Sequence, residues 1–208
     1  MRTRYVARTA LSTVIGLFIT ASAATAQEAD RRSLTLASGR LTISGTSNVH
    51  DYTAETTTIR LTRAKIAAAV PSAALWDEIV KPGSLEAFEI AIPAATLTSP
   101  KEGLDKNMHK ALKVQEHRDI TFRLLRLEPG TTPSAFKGVG VLKIAGVERE
   151  VVLALTTGRK DGGLLVKGEL ALLMTDFGIA PPKAMLGMLK TDPKVTITFE
   201  TVLMVPTT

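Results

Sequence analysis

Residues 167–200 have the sequence KGELALLMTDFGIAPPKAMLGMLKTDPKVTITFE, which holds more architectural information than any other stretch of the chain. Two apolar-alternating runs, Leu164–Leu173 and Val195–Met204, predict β-strands. The residues between them include Asp-Phe-Gly and the pair Pro181-Pro182, which interrupt a strand. The pattern indicates a hairpin whose long connecting loop can serve as a lid.

The same alternating pattern recurs along the rest of the chain. Short runs rich in Val, Ile, Thr and Leu are separated by Gly, Pro, Asp and Lys, so strands prevail over helices. The seven other predicted strands are Ser33–Ala37, Arg40–Thr46, Tyr52–Leu61, Leu85–Ile92, Ile120–Leu127, Phe136–Ile144 and Glu150–Thr157. The sequence therefore predicts an all-β domain.

Alternation also indicates which side chains face inward, and nearly all of these are apolar. Such a face can be buried between two sheets or inside one closed sheet, and closure removes the exposed edges. Gly138 and Gly140 fall on an inward face, where they permit bending and leave interior volume. We expect one extended antiparallel β-barrel of about eight strands, wide enough for a small or elongated ligand.

Two helical segments interrupt the strands. The clearer one follows Ser99, which can cap it while Glu102 returns the cap. Apolar residues recur there at four-residue spacing and predict an amphipathic helix with one side on the body of the protein: Leu104, Met108 and Leu112. The second segment, Ser72–Val80, contains the only tryptophan and is bracketed by prolines. We expect it to be a short helix or an ordered loop.

The first 26 residues have the composition of a secretory signal peptide. Arg2, Arg4 and Arg8 form a positive region, an apolar run follows, and Ala24-Thr25-Ala26 matches a cleavage site. The apolar run is shorter than the ~20 residues of a membrane-spanning helix. We expect cleavage after residue 26, a mature domain of residues 27–208, and a periplasmic or secreted location. Losing three arginines and no acidic residue lowers the formal charge from +6 to +3, which argues against a nucleic-acid partner.

Residues suited to catalysis are few. The chain has no cysteine, which excludes a disulfide, a thiolate ligand and lipid attachment at a cysteine. The three histidines, His50, His109 and His117, do not form a zinc-protease motif. Asp105 and His109 share a helix face at four-residue spacing, so a metal site with one of the other histidines is one hypothesis beside plain solvated side chains. We expect no metal, no cofactor and no catalytic step.

Five motifs resemble, in order and spacing, those of the YceI-like family of secreted lipid-binding domains. They are Gly45-Thr-Ser-Asn-Val-His-Asp-Tyr, Asp105-Lys-Asn-Met-His-Lys-Ala-Leu-Lys, Ile120-Thr-Phe, Gly140-Val-Leu-Lys-Ile-Ala-Gly-Val-Glu-Arg-Glu-Val, and the loop of Met174-Thr-Asp-Phe-Gly-Ile with Ala180-Pro-Pro-Lys-Ala-Met-Leu-Gly. The resemblance covers about Leu34 to Val205. It implies a lipocalin-like barrel around an elongated apolar cavity, with polyisoprenoid lipids as ligands of some members.

The chain also departs from the family pattern. Met174 stands where many relatives have a basic residue, and Ser33-Leu34-Thr35-Leu36 lacks the tryptophan that many have in the first strand. Without the basic residue, the resemblance implies a neutral head group, such as a quinone ring or an alcohol. We expect an isoprenoid or quinone-like lipid that is sequestered or carried without chemical conversion, with transient contact to a membrane surface. The sequence leaves the oligomeric state open.

The expected ligand-binding residues come from inward strand positions and from the loop: Phe122, Leu124, Leu142, Ile144, Leu153, Phe177, Met185, Met188, Ile197 and Phe199. For the three phenylalanines, a plain role in the core is the alternative. The two methionines adapt to irregular apolar partners, so they suit either a gate or a plug at one barrel end.

Several polar residues near the loops are expected to fix turns rather than bind a ligand. Asp176 precedes Phe-Gly and can accept backbone N–H groups, and Asn48, His50 and Asp51 follow an early strand. Two alternatives for the whole protein stay open. One is an interaction or stress-associated protein with a filled barrel, and the other is a metal-dependent hydrolase that uses the three histidines.

Overall fold

The computed structural model describes residues 33–184 and 189–206. The expected signal peptide, Met185 and Met188 lie outside these residues. The strands of the described part are β1 Thr35–Ser47, β2 Tyr52–Thr56, β3 Arg60–Ile66, β4 Leu85–Pro93, β5 Asp119–Pro129, β6 Ala135–Ile144, β7 Val147–Lys160, β8 Gly163–Leu173, β9 Lys183–Ala184 and β10 Leu189–Met204. The α-helices are α1 Leu75–Glu78 and α2 Glu102–Ala111, and single 3-10 turns lie at Ser72–Ala74, Ala94–Thr96 and Met174–Phe177.

Nine of these strands form one antiparallel sheet in the order β2-β1-β10-β8-β7-β6-β5-β4-β3, and the short β9 pairs with β10. Most neighbours in the sheet are neighbours in sequence, whereas β10 lies between β1 and β8. The two outer strands, β2 and β3, follow each other in the chain, and an isolated bridge joins Ser33 to Lys65 of β3. The sheet thus curls into a lipocalin-like barrel, which confirms the predicted all-β class.

The start of the barrel differs from the prediction in two places. The expected strands Ser33–Ala37 and Arg40–Thr46 are the single strand β1, because pairing with β10 continues through Gly39 despite a bulge just before it. The expected strand Tyr52–Leu61 is instead divided between β2 and β3, because hydrogen bonds of the Thr56 hydroxyl stabilise a turn after β2. This hydroxyl accepts the Thr58 N–H at 3.0 Å and shares a 2.8 Å hydrogen bond with the Thr96 hydroxyl.

The helix α2 has the predicted orientation but not the predicted cap. Leu104, Met108 and Leu112 face the barrel interior, and Lys106 and Lys110 are exposed. The Ser99 hydroxyl donates to the Lys101 carbonyl at 2.9 Å, and no side chain caps the first turn. The carboxylate of Asp105 instead accepts the Ser99 N–H at 2.7 Å, which ties the helix to the preceding segment.

The apolar interior consists of two clusters, one at each end of the barrel. We call the first the helix end; it contains Ala94, Leu97, Leu112, Phe122, Leu142, Ile144, Ala145, Phe177 and Ile179, with Met108 of α2 packed against it. We call the second the tryptophan end; it contains Leu34, Ile66, Ile79, Leu164 and Leu203, with Trp76 packed against it. Of the two forms expected for the second segment, a short helix or an ordered loop, the structure has the short helix α1, and its residues Leu75 and Trp76 pack against this end.

Interactions at the tryptophan end fix the covering segment firmly. The guanidinium of Arg159 lies 5.9 Å from the centre of the Trp76 ring and 2.6 Å from the carboxylate of Asp77. The buried Ser84 hydroxyl lies against the carbonyl oxygens of Ile79 and Lys81, which follow α1. Ile79 itself is only 2% exposed, so this end of the barrel is closed by a packed and hydrogen-bonded segment.

Candidate functional site

The barrel encloses an apolar cavity of about 260 Å³. Its wall includes side chains from both apolar clusters, so the cavity runs from the helix end to the tryptophan end. The strand β10 contributes alternate residues along its length: Val195, Ile197, Phe199, Thr201 and Leu203. At ~3.3 Å per residue, the distance from Val195 to Leu203 is about 26 Å, which makes the site long and narrow.

The structure places eight of the ten expected ligand-binding residues in the cavity wall. They are Phe122, Leu124, Leu142, Ile144, Leu153, Phe177, Ile197 and Phe199. Met185 and Met188 lie outside the described residues, so the choice between a gate and a plug stays a prediction. That the eight bind a ligand is likewise a prediction, because lining a cavity and forming the core are compatible roles for the same side chain.

The sequence reasoning missed a large part of the wall. Residues of β1 line the cavity at Leu36, Leu41 and Ile43, and α2 adds Leu104 and Met108. The bulge at Leu36–Ser38 shifts the phase of alternation within β1, so its inward positions could not be read as one series. The helix residues carried a signal, since their four-residue spacing already directed one face toward the barrel.

The inward-facing glycines were expected to leave interior volume, but neighbouring side chains fill the space beside them. A Cβ at Gly140 would overlap the ring of Phe122, and a Cβ at Gly168 would overlap the ring of Phe199, its direct partner across the strands. The aromatic rings therefore occupy the space that the missing side chains leave. These glycines thus let the rings of Phe122 and Phe199 pack close to the sheet, and an apolar cavity remains inside the barrel.

The described residues of the wall include no charged side chain and only four with a polar side-chain atom: Tyr52, Thr157, Thr191 and Thr201. Tyr52 and Thr191 lie at the helix end. Tyr52 pairs with Gly45 on β1, and Gly45 pairs on its other side with Val195 on β10. Val195 in turn pairs with Leu172, which packs at the helix end. The other two, Thr157 and Thr201, both pair with Val166, which packs at the tryptophan end. The described wall is thus uncharged, with two hydroxyl-bearing side chains toward each end.

Tyr52 has an altered proton affinity. Partial burial raises the pKa of the Tyr52 phenol above its ordinary value of 10.0, and the nearby carboxylate of Asp192 raises it further. Asp192 lies where β10 bulges, because Gly45 pairs with Val195 whereas Ser47 pairs with Thr191. The phenol therefore stays protonated and can donate a hydrogen bond at neutral pH.

A loop at the helix end borders the cavity next to Tyr52. The Ser47 hydroxyl donates to the His50 carbonyl at 2.7 Å and accepts the N–H groups of Val49 and His50. Asn48 accepts the Lys190 N–H at 2.8 Å. These bonds agree with the expected turn role, and they hold the side chain of Val49 outward, where it is 66% exposed.

The three histidines lie in separate surroundings. The Nε2 of His50 is 3.3 Å from the ammonium of Lys101, the Nε2 of His109 donates to the Leu97 carbonyl at 2.8 Å, and the ring of His117 lies against Gly146. Within the described ranges, no three His, Asp or Glu side chains form a group that can hold a metal ion. The hydrolase alternative therefore has no assembled site in this part of the chain.

The expected role of Asp176 is not supported by the structure. Asp176 is exposed and, among the described residues, its carboxylate accepts no hydrogen bond. Backbone groups fix the turn instead, since Gly178 donates to the Thr175 carbonyl and Ile179 donates to the Met174 carbonyl. Gly178 has a φ of 67°, the left-handed region that favours glycine.

A curled antiparallel sheet around an elongated apolar cavity defines a lipocalin-like barrel, the architecture that holds one small hydrophobic molecule. The sequence also matches the model of the YceI-like domain over residues 49–203. The chain therefore belongs to the YceI-like domain family. This confirms the resemblance inferred from the five motifs.

Solved structures with the same fold include three from bacteria. BcnA of Burkholderia cenocepacia is 12% identical with a TM-score of 0.62, over 79% of this chain and 95% of BcnA. A polyisoprenoid binding domain from Saccharophagus degradans, implicated in plant cell wall breakdown, is 12% identical with a TM-score of 0.60, over 84% and 99%. The Campylobacter jejuni YCEI protein is 14% identical with a TM-score of 0.53, over the whole of both chains.

At these identities the solved structures show the fold alone. No curated protein matches the sequence. In the described part of the chain, no helix is long and apolar enough to span a membrane.

Proposed function

We propose that this protein binds an amphipathic, isoprenoid-like lipid inside the barrel and sequesters or carries it without chemical conversion. The observation that carries the proposal is the long cavity whose described wall has no charged side chain. An apolar tail can be buried along such a wall, whereas a polar metabolite would lose its hydration without gaining partners. The printed description of the Saccharophagus degradans domain as polyisoprenoid-binding agrees with this ligand class.

The cavity volume sets the scale of the energy. At ~24 cal/mol per Å³ of unfilled cavity, about 260 Å³ corresponds to roughly 6 kcal/mol that a well-fitting apolar ligand can recover. Ligand pockets commonly have volumes of roughly 300–1,000 Å³, so this cavity favours a short isoprenoid tail over a very long one. A longer tail would extend out of the barrel or displace wall side chains.

The proposal includes a location and a route of exchange. The expected signal peptide favours a periplasmic or secreted protein, where an insoluble lipid needs a carrier between membranes. The exposed Val49 lies in the loop at the helix end of the cavity, and the exposed residues Lys101 and Lys190 contact the neighbouring His50 and Asn48. We propose that this loop makes transient contact with a membrane surface while the lipid enters or leaves.

Native mass spectrometry of the mature protein, purified without detergent, tests the proposal. We expect an adduct that organic extraction identifies as an isoprenoid alcohol or quinone, present at one molecule per chain. Protein purified from the periplasm and from refolded inclusion bodies should differ, because the refolded sample has met no membrane. If both preparations are free of lipid and neither takes up farnesol or ubiquinone from vesicles, the barrel is not a lipid carrier.

A further inference from the structure

Exposed apolar side chains gather on one side of the barrel, on the neighbouring strands β5 to β8. Among the described residues, three of the four large exposed ones belong to these strands: Leu125, Val152 and Leu173. Val139 of β6 pairs directly with Val152 and lies beside the β5 bulge that contains Leu125. Val139 is only 1% exposed, so its neighbours cover it. A group of this kind indicates an interaction surface, whereas scattered single residues do not.

The sheet opens next to Val152. The strands β7 and β8 pair from their turn up to Ala154 and Glu169, and within the described residues no pair follows. The strand β7 nevertheless continues to Val147 along β6, and β8 continues to Leu173 along β10. We call the gap between β7 and β8 beyond Ala154 the wedge. The exposed apolar side chains of Val152 and Leu173 thus belong to its two sides.

The backbone of β7 presents free hydrogen-bonding groups to the wedge. Thr157 donates its N–H to the Ser134 carbonyl on the β6 side of the strand. Peptide groups alternate in direction along a strand, so the even-numbered residues of β7 direct theirs toward β8. Glu150 and Val152 therefore present N–H and C=O groups that have no backbone partner in the described part of the chain. A strand edge with free backbone groups can pair with one more strand.

The groups nearest to this edge leave it open. The turn Met174–Phe177 follows β8 and packs Phe177 into the helix-end cluster, and its backbone hydrogen bonds go to the residues just after it rather than to β7. The Arg149 guanidinium donates to the Glu148 carbonyl at 3.0 Å, so that carbonyl already has a partner. The open edge is therefore short and begins at Glu150.

The side chains along the open edge define what can pair with it. Glu150 is exposed and forms no ion pair among the described residues, and Val152 is exposed and apolar. An added strand places one side chain directly opposite each of them, so a basic residue opposite Glu150 and an apolar residue opposite Val152 are complementary.

Two other occupants match the wedge less well. Lipid tails cannot satisfy the free peptide groups of β7, which disfavours a membrane surface. A second copy of the chain would offer its own β7, which is flanked by its own β8, so two whole barrels cannot bring these edges together. A single extended chain satisfies the peptide groups and needs room for one strand only.

We propose that the wedge is a docking site for an extended segment of a partner protein, which adds a strand to β7 through backbone hydrogen bonds with Glu150 and Val152. In the antiparallel direction of the rest of the sheet, the segment has an apolar residue followed two positions later by a basic residue. The site is separate from the lipid cavity, because both side chains are exposed on the outer face.

Short peptides test the side-chain part of the proposal. The acetylated amide Val-Thr-Lys-Thr-Thr and its analogue with Glu in place of Lys are titrated into ¹⁵N-labelled mature protein and followed by NMR. We expect amide shifts in residues 148–153 and 171–173, and about threefold to tenfold tighter binding of the Lys peptide. Glu150→Lys should reverse the preference. Glu116→Lys is the matched control, the same charge reversal at an exposed position after α2, and should leave the preference unchanged.

N-methylation tests the backbone part. A methyl group on the peptide nitrogen of the Lys removes the donor to the Glu150 carbonyl and should weaken binding about fivefold, although every side chain is kept. A methyl group on the nitrogen of the next Thr, which points away from β7, is the control and should cost less.

The alternatives give results of their own, and each would overturn the proposal while lipid binding stands. If the amides of the wedge do not shift, or if the Lys, Glu and N-methyl peptides bind equally, no strand is added to β7. If sedimentation shows a dimer that Val152→Lys dissociates, the occupant is a second copy. If phosphatidylglycerol vesicles shift these amides and the peptides do not, the surface meets a membrane.

Discussion

The two ends of this barrel are built from the same strands and yet differ in what closes them. At the tryptophan end, the segment around α1 places Ile79 in the core, and Arg159 joins Trp76 and Asp77 outside it. At the helix end, α2 packs against the wall, but Tyr52 leaves a phenol without a partner in the described residues. The alternation of the strands thus forms the cavity, and the segments that connect the strands determine how each end is closed.

The largest expected effect tests whether the tryptophan end is a sealed core. Ile79→Ala should lower the free energy of unfolding by about 2–5 kcal/mol, because the side chain is 2% exposed and packs in the closed cluster. Chemical denaturation of lipid-free protein measures the change. Val152→Ala is the control, since Val152 is 52% exposed and its truncation should stay within about 0.5 kcal/mol. Equal effects of the two substitutions would show that this end is not a packed seal.

A second variant tests the narrow middle of the cavity, between the two ends. Gly168→Ala should destabilise the protein by about 1–3 kcal/mol and weaken lipid binding, because the new methyl group pushes the Phe199 ring into the cavity. Gly158→Ala is a matched control on β7, where a Cβ meets no atom within 4 Å.

The double variant Gly168→Ala, Phe199→Leu should recover part of both losses, since the smaller side chain makes room for the methyl group. If the effects of the two substitutions on stability and binding are instead additive, the Phe199 ring does not occupy the space beside Gly168. In that case the description of the Phe199 ring as packed directly on Gly168 would be incorrect.

A smaller effect is expected for the outer contacts of the tryptophan end. Arg159→Gln removes the cation over Trp76 and the ion pair with Asp77, so we expect a loss of up to about 1 kcal/mol and a change in tryptophan fluorescence. Asp77→Asn removes the ion pair alone and should have the weaker effect, because the Asp77 side chain is 77% exposed. A fluorescence spectrum that is identical in Arg159→Gln and wild type would argue against the stacking.

The smallest expected effect is a pH dependence at the helix end. The pKa of Tyr52 is raised in the folded protein, so its stabilising contribution is present below pH 10.0 and is lost as the pH rises through the folded value. Stability measured across this alkaline range should therefore fall slightly less in Tyr52→Phe than in wild type. Ultraviolet titration of the phenol at 295 nm measures the Tyr52 pKa independently. A phenol that ionises below pH 10.0 would contradict a pKa raised by burial and by Asp192.

The sequence was sufficient for the class of fold and for much of the cavity wall. Apolar and polar residues alternate regularly in β5 to β8 and in β10, and this alternation indicates which side chains face inward. Residues such as Phe122 and Leu153 could therefore be assigned to the cavity wall from the sequence. The helix α2 was predicted for the same reason, from the spacing of Leu104 and Met108. These elements depend on local periodicity, which a single sequence contains.

The positions of Tyr52 and Asp192 at the helix end could not be predicted because they depend on irregular strand pairing. The partnership of Tyr52 with Gly45 joins separate strands, and the position of Asp192 depends on a bulge that hydrophobic alternation does not reveal. The interior glycines misled the reasoning for a related reason. Their space is filled by rings whose position is known only once the strand register is known.

The position of the lipid relative to the barrel tests the central claim most directly. Farnesol that carries a photoreactive diazirine on its terminal isoprene unit is bound to the mature protein, irradiated, and located by peptide mass spectrometry. The account predicts crosslinks to side chains of the cavity wall, such as Phe122, Ile197 and Leu203. Crosslinks confined to exposed residues such as Val152 would contradict a lipid held inside the barrel.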